Sequence, residues 1–188
     1  MPLNLWPSTL SPPAPLLVPG LHYGGGTGTG TGTALTGLRA YAMPFYVSNV
    51  IGVDRLVHNV ATGAAGALFR CAIWDDDGPS GLPGSLLIAP TVDLDAATTG
   101  TKTDTGVSGT LYPGWVWVGL FTNASGTFTP TGLHAAYAPA YNVGTTSGTT
   151  SSTVVIGTIV AFDNASVATF PSPAATNIAA PRLQFRTV

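Results

Sequence analysis

Few residues in this chain have types and spacing that could do chemistry, and the densest group is the run of carboxylates Asp75, Asp76 and Asp77. Clustered carboxylate and carbonyl oxygens are what Ca²⁺ takes as ligands, so Asp75 and Asp77 are candidate metal ligands. Three adjacent aspartates cannot all face one ion from an extended strand, and the interrupted spacing and closing Glu of a calcium loop are missing. A solvated hairpin turn is the better reading. His22, His58 and His134 stand far apart without an HxH or HExxH pattern, which speaks against zinc. A glycosidase would need two carboxylates, and nothing marks a pair among Asp54, Asp93, Asp104 and Asp163. No Gly-x-Ser-x-Gly elbow is present. The expectation is a protein without catalysis and without cofactors. Cys71 is the single cysteine, at a strand position where a small buried hydrophobe is the default.

Sugar binding is the one ligand chemistry with some support. Sugars stack their apolar faces on aromatic rings while amides take the hydroxyls. Trp74, Tyr112, Tyr137 and Tyr141, with Asn123 and Asn142, fall in or beside expected loops and are the candidate glycan contacts. The competing reading packs Trp74 and Tyr112 at the ends of the fold. Asn123-Ala124-Ser125 and Asn164-Ala165-Ser166 match the N-glycosylation pattern, as chance allows in a chain this rich in Ser and Thr. The Gly/Thr run from Gly24 to Thr33 lacks the lysine and the strand-to-helix context of a phosphate loop, so it reads as a linker.

The elements that must position these residues are strands. Only 7% of the 188 residues are charged, with no Glu and a single Lys, and those are the residues that fill exposed helix faces. Thr, Val and Gly dominate, an all-β composition. A mean hydropathy of +0.34 with so few charges points to a surface partly covered by other subunits. The net charge of −2 leaves no electrostatic footprint for nucleic acid. No apolar run reaches the ~18 residues needed to cross a membrane as a helix, and no secretion signal is apparent.

The chain divides into an extended proline-rich arm with its Gly/Thr linker, residues 1–37, and a β-sandwich domain, 38–188. Proline removes donors and fixes φ, so the arm is extended. Its apolar residues suit a partner subunit, with Trp6, Leu16, Leu17 and Val18 as the assembly anchors, and a strap across its own domain is the alternative. Strands are expected over Leu38–Val47, Val53–Val60, Leu68–Trp74, Leu82–Ile88, Val92–Leu94, Thr103–Leu111, Trp115–Phe121, Leu133–Ala138, Val154–Phe162 and Arg182–Val188. In the third, Phe69, Cys71 and Ile73 face one way and Arg70, Ala72 and Trp74 the other. In Trp115–Phe121 both faces are apolar, which fits a central strand. The face that Val53–Val60 turns inward is ambiguous. Many strands with Gly/Pro turns and no helical period give an antiparallel β-sandwich, jelly-roll-like.

Four pieces in order, Tyr41 to Val47, Phe69 to Gly78, Leu82 to Leu87 and Leu111 to Leu120, read Tyr-Ala-Met-Pro-Phe-Tyr-Val, Phe-Arg-Cys-Ala-Ile-Trp-Asp-Asp-Asp-Gly, Leu-Pro-Gly-Ser-Leu-Leu and Leu-Tyr-Pro-Gly-Trp-Val-Trp-Val-Gly-Leu. The run from Leu38 to Leu120 that holds them resembles a family of small β-sandwich structural proteins of tailed bacteriophages. The resemblance covers under half of the chain. It implies a virion protein: a tail, fibre or head-decoration subunit, assembled as a symmetric oligomer such as a homotrimer. It implies other phage structural proteins as partners, and outward loops that touch host surface glycans. A stand-alone carbohydrate-binding module is the alternative.

Overall fold

The computed structural model describes residues 16–24, 30–35, 37–123, 125–132, 154–176, 181 and 183–188. In chain order the strands are β1 (His22–Gly24), β2 (Gly30–Thr31), β3 (Arg39–Val47), β4 (Ile51–Thr62), β5 (Leu68–Asp75), β6 (Leu86–Ile88) and β7 (Leu94–Asp95). They continue with β8 (Gly100–Asp104), β9 (Gly109–Leu111), β10 (Gly114–Thr122), β11 (Thr129–Gly132), β12 (Val154–Thr158), β13 (Ala174–Thr176) and β14 (Leu183–Thr187). Among the described residues the only helical pieces are short 3-10 turns, at Pro79–Gly81 and Ala165–Val167.

The strands form two antiparallel sheets packed as a sandwich. The first is organised on β4, whose one edge carries β14 and then β11, and whose other edge carries β9 and then β8. Outside these, β1 adds to β14 and β2 to β11. The second runs β13-β12-β3-β10-β5-β6, with β7 also on β5. These orders establish the sandwich; they do not establish the jelly-roll connectivity expected from the sequence. The strand expected over Thr103–Leu111 is two strands on the edge of β4, broken between Asp104 and Gly109. The strand expected over Leu133–Ala138 lies outside the described residues.

The second sheet is apolar on both faces, as the alternation of β5 and β10 demands. Phe69, Cys71 and Ile73 of β5 and Val116, Val118 and Leu120 of β10 face the first sheet and meet Leu56, Val60, Leu111, Leu183 and Phe185 there. On the other face Trp74, Trp117 and Phe121 stand around the small residues Ala40, Ala42 and Ala72. Ile159, Val167 and Phe170 fill that trough, so the segment after β12 is a lid on the sheet and not an extension of the strand to Phe162. Each large apolar side chain so buried contributes about 1.5–3 kcal/mol. Polar ties fix the lid: the Trp74 indole N–H donates to the Val167 carbonyl at 2.9 Å, and Leu86 N–H donates to the Ala168 carbonyl at 3.0 Å. Arg70 sits 4.9 Å over the Phe162 ring, pairs with Asp93 at 2.5 Å and donates to the Asn164 side chain at 3.0 Å.

A bulge explains the ambiguous face of β4. Arg186 pairs with Arg55 while Thr187 pairs with Val53, which leaves Asp54 as an extra residue. The inward set therefore switches parity: Ile51 and Val53 before the bulge, Leu56 and Val60 after it, with His58 between them edge-on to Phe69 at 5.3 Å. The bulge places Asp54 against the Arg186 guanidinium, which donates from Nε to Oδ1 at 2.8 Å and from Nη2 to Oδ2. Arg186 and Arg55 face each other as like charges across the ladder, and the Asp54 carboxylate pairs with both.

Two outcomes follow from this packing. A Cβ at Gly119 would lie 1.9 Å from the Tyr41 carbonyl oxygen and 2.8 Å from the Ala42 Cα, both backbone of β3. Gly119→Ala is expected to cost about 1–3 kcal/mol or more in denaturant unfolding with an unchanged slope; an unaltered midpoint would mean that β3 and β10 are not this close. The Arg186 hydrogen bonds hold the Asp54 carboxyl below the usual carboxylate range. Its folded pKa is then lower than its unfolded one, so the contribution is complete above roughly pH 4 and is lost as pH falls through the folded value. Asp54→Asn is expected to lower Tm at neutral pH, with the gap to the parent closing on acidification; a gap unchanged at acid pH would assign the effect to packing instead of charge.

Candidate functional site

The sequence-predicted residues divide by where the fold places them. Trp6, Tyr137 and Tyr141 lie outside the described residues. Trp74 is fully buried, edge-on to Phe170 at 5.1 Å and bonded to the lid, because its strand position faces the trough of the second sheet and not a loop. No ring face is left for a sugar, and the expectation of Trp74 as a glycan contact is corrected to a core tryptophan. Tyr112, by contrast, is 69% exposed in the turn between β9 and β10. The Asn123 amide is engaged within the fold: it accepts from Leu68 N–H at 3.0 Å and donates to the Gly66 carbonyl at 3.0 Å. Asn164 likewise joins Arg70 to the Pro90 carbonyl, so both N-glycosylation matches have their amides committed to structural bonds.

The aspartate run forms the turn between β5 and β6. Asp77 accepts from the Ser85 N–H and hydroxyl, both at 2.6 Å, and these bonds hold its carboxyl below the usual range. Asp75 accepts from the Asp76 N–H at 3.0 Å. Burial, followed by the two neighbouring carboxylates, pushes Asp76 up. Gly84 lets the turn close, since a Cβ there would meet the Asp77 carboxylate and the Gly78 nitrogen. Asp75 and Asp77 thus hold the hairpin, and among the described residues no group of three His, Cys, Asp or Glu side chains is placed to hold a metal.

The remaining carboxylates each have a local partner. Asp93 pairs with Arg70, and Asp163 accepts from the Ser166 N–H at 2.7 Å. Asp104 is fully buried and accepts from Thr91 N–H at 2.7 Å, the Thr91 hydroxyl at 2.5 Å and Gly106 N–H at 3.1 Å. These donors replace the water that burial removed, as a buried charge requires. Asp104 is a staple between the 91–92 and 105–107 loops.

The arm is where the sequence reading and the structure differ most. Leu17 is 5% exposed and part of the core between the sheets, so it anchors the arm to its own sandwich and not to a partner. The Asn49 side chain clamps it, accepting from Leu17 N–H at 2.8 Å and donating to its carbonyl at 3.2 Å. A turn at Pro19-Gly20, with Gly20 at φ +84, leads into β1 against β14. Thr187, fully buried, is clasped there: its hydroxyl donates to the Val18 carbonyl at 2.6 Å, and its N–H donates to the Leu21 carbonyl at 3.0 Å. Leu16 and Val18 point outward at 70% and 50% exposure. Further on, β2 pairs with β11 and Leu35 is buried, so the expected domain boundary at 37/38 moves back to about residue 16 for the described chain. Alternating Gly and Thr concealed these strands because they carry no apolar period. Asn49 and Thr187 gave no signal either, since each acts through backbone partners far along the chain, at Leu17 and at Val18 and Leu21.

No family model, no curated protein and no solved structure matches this chain.

Asn49→Ala removes both bonds to the Leu17 backbone. The expected outcome is a stability loss of about 1–3 kcal/mol together with faster amide exchange at Leu17 and Leu21. Unchanged exchange there would show that burial of the Leu17 side chain suffices to hold the arm.

Proposed function

We propose that this chain is a non-enzymatic structural protein of a tailed-phage particle, a β-sandwich subunit that builds a tail, fibre or head decoration as a symmetric oligomer, with a trimer as the expected state. The observation that carries the reading is the surface. A chain with 7% charged residues leaves Leu16, Val18, Leu21, Val50, Val160 and Val188 each at least half exposed, where a free monomer would carry charge. The carboxylates are engaged in turns, staples and ion pairs, which suits a scaffold. The resemblance of Leu38 to Leu120 to phage sandwich proteins supplies the particle. The arm before Leu16, proline-rich and without a charged side chain, supplies a device for joining subunits.

Exposed Tyr112 favours one second reading, a carbohydrate-binding module whose outward loops meet host glycans.

The test is the native mass of the full chain by light scattering over a range of concentrations. A stable multiple of 19.0 kDa, three chains on this reading, is the expected result. A monomer at every concentration would remove the subunit reading. Glycan retention that is lost on Tyr112→Ala would then establish the binding module in its place.

A further inference from the structure

One end of the sandwich gathers exposed apolar side chains from four separate stretches of chain. Leu17 is bonded to Asn49, Thr187 to Val18 and Leu21, Val188 N–H to the Gly52 carbonyl, and Ile51 pairs with Leu111. Those bonds bring Leu16, Val18, Leu21, Val50, Tyr112 and Val188 to the same end, each at least half exposed. Val188 lies directly over Gly52, where a Cβ would meet its side chain at 2.8 Å. Asp54, two residues along β4 from Gly52, is paired with Arg186 and Arg55.

We infer that this end is the seat for residues 1–15 of a second copy of the chain, so that subunits are joined by exchanging arms. The inference rests on the subunit reading above and names its contact surface. The arm enters the sandwich at Leu16, inside the patch, so each copy presents both an arm and a seat at one place. Its chemistry matches the seat: Leu3, Leu5, Trp6 and Leu10 with no charged side chain among residues 1–15. Fifteen residues can span at most about 50 Å, so the arm is long enough to leave the patch at Leu16 and reach a neighbour's. Five of its fifteen residues are prolines, which bring no backbone donor to be left unpaired on an apolar surface.

Two measurements on the full chain test this. In Ser8→Cys/Thr110→Cys, one thiol is on the arm and the other is on an exposed position opposite Gly52, while buried Cys71 stays out of reach. Oxidation is expected to give covalent dimers and higher species on a non-reducing gel, with each single variant remaining one chain. Val50→Asp/Leu21→Asp places two charges on the seat at exposed positions and is expected to reduce the native mass to 19.0 kDa with unchanged circular dichroism. A parent oligomer in which the thiols join only within one chain, or in which the two charges leave the mass unaltered, overturns arm exchange and leaves the subunit reading standing. A parent chain that is monomeric at every concentration overturns both.

Discussion

A sheet with two apolar faces needs two covers, and the rest of this molecule is arranged to supply them. β10 sits between β3 and β5 with Val116, Val118 and Leu120 on one side and Trp117 and Phe121 on the other. The first sheet closes over the aliphatic side. The aromatic side cannot take another sheet, because its small residues, Ala40, Ala42, Ala72 and Gly119, leave a trough and not a plane. A single irregular segment from Ile159 to Phe170 fits it, its backbone polar groups met by Trp74, Leu86, Gly84 and Leu38 while Arg70 holds the Asn164 side chain. The unusual composition follows from this. With both faces of one sheet and one face of the other withdrawn from water, there are few positions left where Lys or Glu would be useful.

Much of this was readable in the residues, and what was not has a physical cause. β5 and β10 were legible to the residue because strict alternation tells which side each side chain takes. β4 was legible as a strand but not as a face, since the Asp54 bulge inserts a residue that shifts the parity of everything after it. β2 and β11 escaped because their Gly, Thr and Pro residues join the sheet through backbone bonds, which leave no trace in side-chain pattern, and β1 because three residues, His22 to Gly24, are too few to show a period. Trp74 drew attention as an aromatic beside a loop. Its burial depends on what the distant segment around Val167 does, a contact 93 residues away that no local window can contain.

The same limit governs the arm. Proline density and the absence of charge announce an extended apolar segment, and they do so equally for one that straps its own domain and one that leaves it. The division between the two falls at Leu17. That side chain is drawn into the core by the Asn49 clamp and the clasp around Thr187, and the described strands after it belong to the sandwich. Leu17 and Val18 are therefore a fixed point, in a fixed neighbourhood, beside β14.

The single thiol offers a clock. Cys71 lies between the sheets with no exposure, and burial raises its pKa well above the ordinary thiol value. Reaction needs both access and a thiolate, and the closed sandwich withholds the two together. A thiol reagent can therefore mark the protein only as often as the sheets part, and at reagent concentrations where labelling outpaces reclosing its rate reads the lifetime of the closed form, without a probe having to be built in.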